Sequence, residues 1–172
     1  AGREPAGMIE PPTRAFVGLG GNVGDVETTL AEAMWALDSL PQTSVRAQSR
    51  LYITPPWGNT EQPPFTNAVV ELQTRLAPRV LLNLLLEIEA RFGRDRSESE
   101  KWGPREIDLD LLAYGDLQVD EPGMHLPHPR LHERAFVLVP LAEIAPKLEI
   151  VGVGRVSELL AAVDASGIEA IE

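Results

Sequence analysis

An α+β fold is predicted for this chain, and three observations predict it. Apolar residues recur at helical spacing in two segments, one after Val26 and one after Pro78. Shorter segments alternate between apolar and polar residues, as half-buried strands do. Two of those alternating segments follow one another through a short loop of turn-forming residues, with no helix between them. The order is strand, helix, strand, strand, helix, strand, and then a tail. That is the split βαβ pattern of the ferredoxin-like folds, in which helices pack on one face of a mostly antiparallel sheet. A parallel doubly wound sheet is the second choice, and the direct step from strand to strand counts against it.

Residues 1–13, AGREPAGMIEPPT, carry no hydrophobic signal region and are expected as a flexible leader, with a single domain over residues 14–172. The first strand is expected from about Arg14 to Leu19, running into the glycine turn of RAFVGLGGNVGD. Gly18 and Gly20 satisfy the first two positions of the dinucleotide fingerprint, but Val23 occupies the third and Gly24 comes one residue late, so the Rossmann reading is rejected. Val26, Leu30, Ala33, Leu37 and Leu40 mark the first helix, which Pro41 stops. TSVRAQSRLYITPP reads as one strand ended by two prolines, FTNAVVELQTR as another with one apolar face, and WGNTEQPP as the loop between them. Pro78 suits the first turn of a second helix with Leu81, Leu84, Leu85, Ile88 and Phe92 as its buried stripe, and Gly93 ends it. An arginine-rich loop and a strand bearing two aspartates follow. PHPRLHERAFVLVPLAEIAP is expected as a helical turn and a short helix, and a strand near Lys147 to Val151 and a helix near Ser157 to Val163 close the chain.

Composition narrows the function. With 172 residues, 44% apolar and 24% charged, the chain matches an ordinary soluble domain rather than a disordered or membrane protein. No apolar run is long enough to span a bilayer, so no membrane partner is expected. A formal net charge of -11 argues against a nucleic-acid partner. The absence of cysteine removes disulfides and thiolate metal sites, and a cytoplasmic monomer is the simplest expectation. One stretch departs from the acidic average: Arg91, Arg94, Arg96, Lys101 and Arg105 lie close together, which suits a small anionic ligand.

WGPREIDLDLLAYG carries the chemistry that most needs explaining. Ile107, Leu109 and Leu111 take one face of a strand, while Asp108 and Asp110 share the other. Their Cα atoms would stand about 6.6 Å apart. At about 5 Å between carboxylates and an effective dielectric near 20, repulsion would be about 3 kcal/mol. Positive charge is therefore expected beside them. A lone DxD is by itself best taken as a solvated pair, but here the basic residues stand directly upstream. Mg²⁺ fits the pair, because it keeps waters and borrows its remaining ligands from phosphates; two such ions could be bridged by two carboxylates. Arginines fork onto phosphate oxygens, so the combination suggests a polyphosphate. His125, His128 and His132 make a three-histidine metal site conceivable, but the prolines around His128 make a single histidine donating to phosphate easier to build. Trp57, Phe65 and Phe136, with Thr54, the carbonyl of Pro55 and Asn67, suit a flat heteroaromatic ring, although each aromatic alone is more often core.

Taken together, VGLGGNVGD, YITPPWG, QPPFTNAVVEL, GRDRSESEKWGPREIDLDLL and LPHPRLHERAFVLVPLAEIAP resemble the 6-hydroxymethyl-7,8-dihydropterin pyrophosphokinases of folate biosynthesis, in family order, from about Phe16 to Glu149. The resemblance implies transfer of diphosphate from ATP to a pterin hydroxymethyl group, with release of AMP and with two Mg²⁺ held by Asp108 and Asp110. It implies that Arg94 and Arg105 act in catalysis and that Glu89, Arg94, Arg96, Trp102, Arg105, Leu111, His128 and Arg134 surround ATP. It implies a pterin between Phe65 and Phe136, with Thr54, Pro55 and Asn67 at its polar edge and Gly21 and Trp57 nearby. Departures from the family pattern are Phe65 where tyrosine is frequent, Lys101 where arginine is common, His125 where threonine is frequent, and one extra residue between Gly93 and Trp102, which loosens the assignment of Arg96. Two other readings stay open on the residues alone: a metal-dependent phosphohydrolase using the aspartates with His128, and a nucleotide-binding module without catalysis.

Overall fold

The computed structural model describes residues 8–54, 63–94 and 107–171; of residues 8–10, 93 and 94 it describes the backbone alone. Strand β1 is Met8–Gly21, so residues 8–13, placed in the leader by the sequence, extend the first strand. Pro11 and Pro12 fall between Met8 and Thr13, where the register with the neighbouring strand shifts, and a sheet accepts residues without an N–H at such an irregularity. Helix α1, Val26–Asp38, starts at Asp25, whose carboxylate accepts the Thr28 N–H at 3.3 Å. It ends before Pro41, with the Ser39 hydroxyl donating to the Trp35 carbonyl at 2.9 Å.

The single strand expected over TSVRAQSRLYITPP is two, β2 at Thr43–Gln48 and β3 at Tyr52–Thr54. The break comes at Ser49, whose N–H donates to the Val69 carbonyl at 2.9 Å and whose hydroxyl accepts the Val69 N–H at 3.0 Å. The hydroxyl takes the place of a backbone acceptor there, and the chain steps along strand β4, Phe65–Leu76. Both halves remain antiparallel to β4. Helix α2 is Pro78–Glu89, and a π-helical turn at Ala90–Arg94 replaces the sharp stop expected at Gly93. Strand β5, Asp108–Tyr114, bears the aspartates.

A short hairpin follows, β6 at Val119–Glu121 and β7 at Met124–Leu126, which the sequence reading missed because three residues are too few to show alternation. Its local sign was the Pro122-Gly123 pair, with Gly123 at φ +78° in the turn. A 3₁₀ turn at Leu131–Glu133 leads to helix α3, Ala135–Ile144. The chain closes with β8 Glu149–Ile150, β9 Gly154–Arg155, α4 Val156–Ala161 and β10 Glu169–Ala170.

The main sheet runs β10-β3-β4-β1-β5, with β2 also on β4, and every pair is antiparallel. Leu30, Leu37, Leu81, Leu85 and Ile88 from α1 and α2 pack with Val17, Leu19, Val70 and Leu72 on one face. The expectation of helices on one face alone needs correction. Leu138, Leu141 and Val156 from α3 and α4 cover the other face with Phe16, Val69 and Leu112. The reason is legible in β4, where consecutive Val69 and Val70 are both fully buried and therefore demand cover on both sides. Among the described residues, no helix is long and apolar enough to cross a membrane.

Candidate active site

The α3 face of the sheet is filled by Phe16, Val69 and Leu112 but opens where the same face reaches two glycines. Gly18 and Gly20 of β1 bring no side chains, and a cavity of about 300 Å³ lies over them. Its sides are Thr54 of β3, Phe65 and Asn67 of β4, and Asp108 and Asp110 of β5, and its wall toward α3 is Arg134, Phe136 and Val137. Gly20 is closely approached, since a Cβ there would lie 2.6 Å from Nδ2 of Asn67 and the amide would have to move aside. Asn67 is held in turn by the Thr54 hydroxyl, which donates to its Oδ1 at 3.2 Å. The Arg134 guanidinium sits 5.6 Å from the centre of the Phe136 ring, within cation–π range.

A second cleft, of about 530 Å³, lies beyond the outer edge of β5. Leu82, Leu86 and Glu89 of α2 form one wall, Asp108 to Leu111 another, and Gly123 to Leu126, His128, Pro129 and Arg134 the rest. Leu82, Leu86 and Glu89 are spaced by four and three residues, so one stripe of α2 faces it. Glu89 is only 3% exposed, and its Oε2 accepts the Leu109 N–H at 2.6 Å. The His128 N–H donates to the Leu112 carbonyl at 2.8 Å. These two bonds tie both ends of the strand's outer edge to the walls of the cleft.

The His128 ring accepts the Arg130 N–H at Nδ1, at 3.2 Å, which leaves the proton on Nε2. Burial, then the charges of Arg134 and Arg130, lower its pKa from 6.5 to about 4, so it is a neutral donor. His125 pairs through Nδ1 with Asp120 at 2.6 Å on the hairpin and also lines the second cleft. His132 lies 3.6 Å from Glu133 and lines neither cavity, so the three histidines do not share a site.

Asp108, Asp110 and Arg134 line both cavities. Two carboxylates and a guanidinium thus form the common wall between a glycine-floored chamber with aromatic sides and a larger cleft of mixed polar and apolar lining. Among the described residues, no group of three or more His, Asp or Glu could hold a metal ion by itself. The half-buried Asp108 and exposed Asp110 instead suit a hard cation that completes its shell from water and a bound anion.

A family model described as 7,8-dihydro-6-hydroxymethylpterin-pyrophosphokinase (HPPK) matches residues 16–146. The chain belongs to the HPPK family. It is 51% identical over 160 residues to a 2-amino-4-hydroxy-6-hydroxymethyldihydropteridine pyrophosphokinase of Methylorubrum extorquens, covering 93% of this chain and 99% of that one. It is 43% identical to a Pseudomonas aeruginosa protein of the same name, covering 91% and 95% respectively. In fold it is similar to a crystal structure of Plasmodium falciparum HPPK-DHPS with pteroate, at a TM-score of 0.69 and 14% identity over 87% of this chain. The chain spans 44% of the length of that HPPK-DHPS protein. Membership of the HPPK family makes the chain an enzyme, a pyrophosphokinase of the transferase class, and the ferredoxin-like α+β expectation stands.

Of the residues the sequence singled out, Thr54, Phe65, Asn67 and Phe136 meet in the first cavity, and Glu89, Leu111 and His128 in the second. Gly21 ends β1 opposite Thr66 and lines neither; Gly18 and Gly20 hold the floor instead. Arg94 ends the π-helical turn, with only its backbone described. Pro55, Trp57, Arg96, Lys101, Trp102 and Arg105 lie outside the described residues. Sequence reasoning missed Leu82, Leu86 and the hairpin wall. The structure marks the wall through Leu86, a large apolar residue left 47% exposed on the helix, which the sequence alone does not show.

Gly20→Ala should drive Asn67 off Thr54. The Asn67 side-chain amide signals should shift in an NMR spectrum; unchanged amide signals would contradict the close approach. His128 should titrate by NMR near pH 4 rather than 6.5. Because its folded pKa is lowered, its contribution to stability is complete above 6.5 and is lost as pH falls from 6.5 toward 4. A midpoint near 6.5 in the folded protein would contradict this.

Proposed function

We propose that this chain transfers diphosphate from ATP to the hydroxymethyl group of 6-hydroxymethyl-7,8-dihydropterin, with Mg²⁺ and with release of AMP, as a step of folate biosynthesis. The observation that carries the reading is the common wall: Asp108, Asp110 and Arg134 border both cavities, where a group could pass from one ligand to the other.

The first cavity suits the pterin. Phe65 and Phe136 offer ring faces, Thr54 and Asn67 offer edge hydrogen bonds, and the glycine floor leaves room for a flat bicycle. The second cleft suits ATP. Leu82, Leu86 and Met124 give apolar contact to a base. The Leu109 N–H points outward to Glu89, so Leu111, two residues on, turns its own N–H and carbonyl the same way. A donor and an acceptor on one strand edge match the edge of adenine. The Nε2–H of neutral His128, a residue of the same cleft, suits a phosphate oxygen as its acceptor.

The pterin hydroxyl oxygen bonds to the β-phosphorus while the bond from that phosphorus to the α,β-bridging oxygen breaks. The bridging oxygen and its electron pair leave with AMP, and the hydroxyl proton passes to solvent. Two Mg²⁺ ions held by Asp108 and Asp110 would supply positive charge to the polyphosphate when bound. Arg134 stands where the diphosphate changes hands, and Arg94, Arg96, Trp102 and Arg105 are assigned to the phosphates and nucleotide. Catalysis then consists of alignment and charge compensation, with no covalent intermediate.

Incubation with ATP, Mg²⁺ and the pterin should yield AMP and pterin diphosphate in equal amounts by chromatography. Asp110→Ala should lower turnover by about 10²-fold or more while leaving pterin affinity nearly unchanged. Free phosphate in place of AMP, or unimpaired turnover in the variant, would overturn the reading.

A further inference from the structure

Two residues outside both cavities join opposite sides of the first. Tyr52 of β3 is 6% exposed, and its hydroxyl donates to Oε1 of Glu143 of α3 at 2.6 Å. The same oxygen accepts the Arg50 N–H at 3.1 Å, and Oε2 lies 3.5 Å from the Arg50 Nε. The Arg50 guanidinium also donates to the Tyr52 hydroxyl at 3.3 Å. Burial first, and then Glu143, raise the Tyr52 pKa, so the phenol stays a donor.

The position of this knot matters. Tyr52 precedes Thr54 by two residues on β3 and shares its face, about 7 Å away along the strand. Glu143 follows Phe136 by seven residues on α3, about 10 Å along the helix and on nearly the same side. Strand β3 holds β4 through three register pairs, Tyr52 to Asn67, Ile53 to Thr66 and Thr54 to Phe65. Its other neighbour, β10, pairs with it at only two positions. A three-residue strand so near the sheet's edge has little of its own to fix its distance from the helix above it.

We propose that Tyr52 and Glu143 are positioning residues for the first cavity: their hydrogen bond fastens β3 to α3 and so sets the gap between the polar edge at Thr54 and the aromatic wall at Phe136. The inference rests on the reading of that cavity as the pterin chamber. Neither residue lines it. Their effect is on the spacing of groups that do. The nucleotide cleft is built on α2, β5, the β6–β7 hairpin and the segment from His128 to Arg134, and no residue of β3 lines it.

The test compares wild type, Tyr52→Phe, Glu143→Ala and Glu143→Gln by calorimetry, measuring affinity for the pterin with Mg²⁺ and a non-hydrolysable ATP analogue, and separately for the analogue alone. Tyr52→Phe and Glu143→Ala should weaken pterin binding about tenfold and analogue binding by less than about twofold. Glu143→Gln keeps an acceptor for the phenol and should recover most of the loss. The KM for pterin should rise in the same order while the KM for ATP stays put. Equal weakening of both ligands, or a lowered melting temperature with pterin affinity unchanged, would overturn the positioning role. Wild type that binds no pterin would overturn the reading of the cavity, and this inference with it.

Discussion

The site depends on one strand edge. β5 is paired on one side to β1 and is held on the other by a carboxylate oxygen of Glu89 on the Leu109 N–H and by the His128 N–H on the Leu112 carbonyl. A buried backbone group left without a partner is costly, and a hydrogen bond to a carboxylate is among the stronger kinds, about 1.5–3 kcal/mol. Held there, the edge strand takes α2 and the loop after β7 as neighbours instead of another strand. Its alternation then sends Leu109 and Leu111 toward the α1–α2 core, while Asp108 and Asp110 face the opposite side. Had another strand paired with this edge, the second cleft would not exist.

That arrangement explains why like charges are tolerated side by side. Asp108 is half-buried and Asp110 exposed, so solvent screens them in the free protein. Arg134 stands at the same wall. The glycines opposite complete the design: Gly18 and Gly20 face Asp110 and Asp108 across β1 and β5, so the carboxylates stand beside a bare backbone floor.

Much of this was legible in the sequence because it is written in local rules. The period-two pattern around Asp108 put both acids on one face, and Pro78 placed the start of α2 to the residue, though its end came at Glu89 rather than Gly93. The family motifs brought Thr54, Phe65, Asn67 and Phe136 together. What escaped was tertiary. The buried stripe Leu81, Leu85 and Ile88 was recognised, but the adjoining stripe of Leu82, Leu86 and Glu89 has no signal until β5 and the hairpin stand beside it. Ser49 broke a strand by offering a hydroxyl to Val69, a long-range bond that no window of sequence displays. The second helical layer was hidden because α3 is apolar around most of its circumference, so its sequence shows no face to be covered. Gly21 was chosen in place of Gly18 and Gly20 because strand parity, rather than the motif, decides which glycine lies under the cavity.

The central claim is spatial: one acid pair adjoins both ligands at once. Replacing Mg²⁺ with paramagnetic Mn²⁺ and recording NMR relaxation of both ligands in the ternary complex with an unreactive ATP analogue tests it directly. Strong relaxation of the β-phosphate phosphorus together with the pterin hydroxymethyl protons, abolished when Asp108 and Asp110 are both changed to Asn, is the predicted result. Relaxation of only one ligand, or relaxation of both that survives loss of the two carboxylates, would contradict the account.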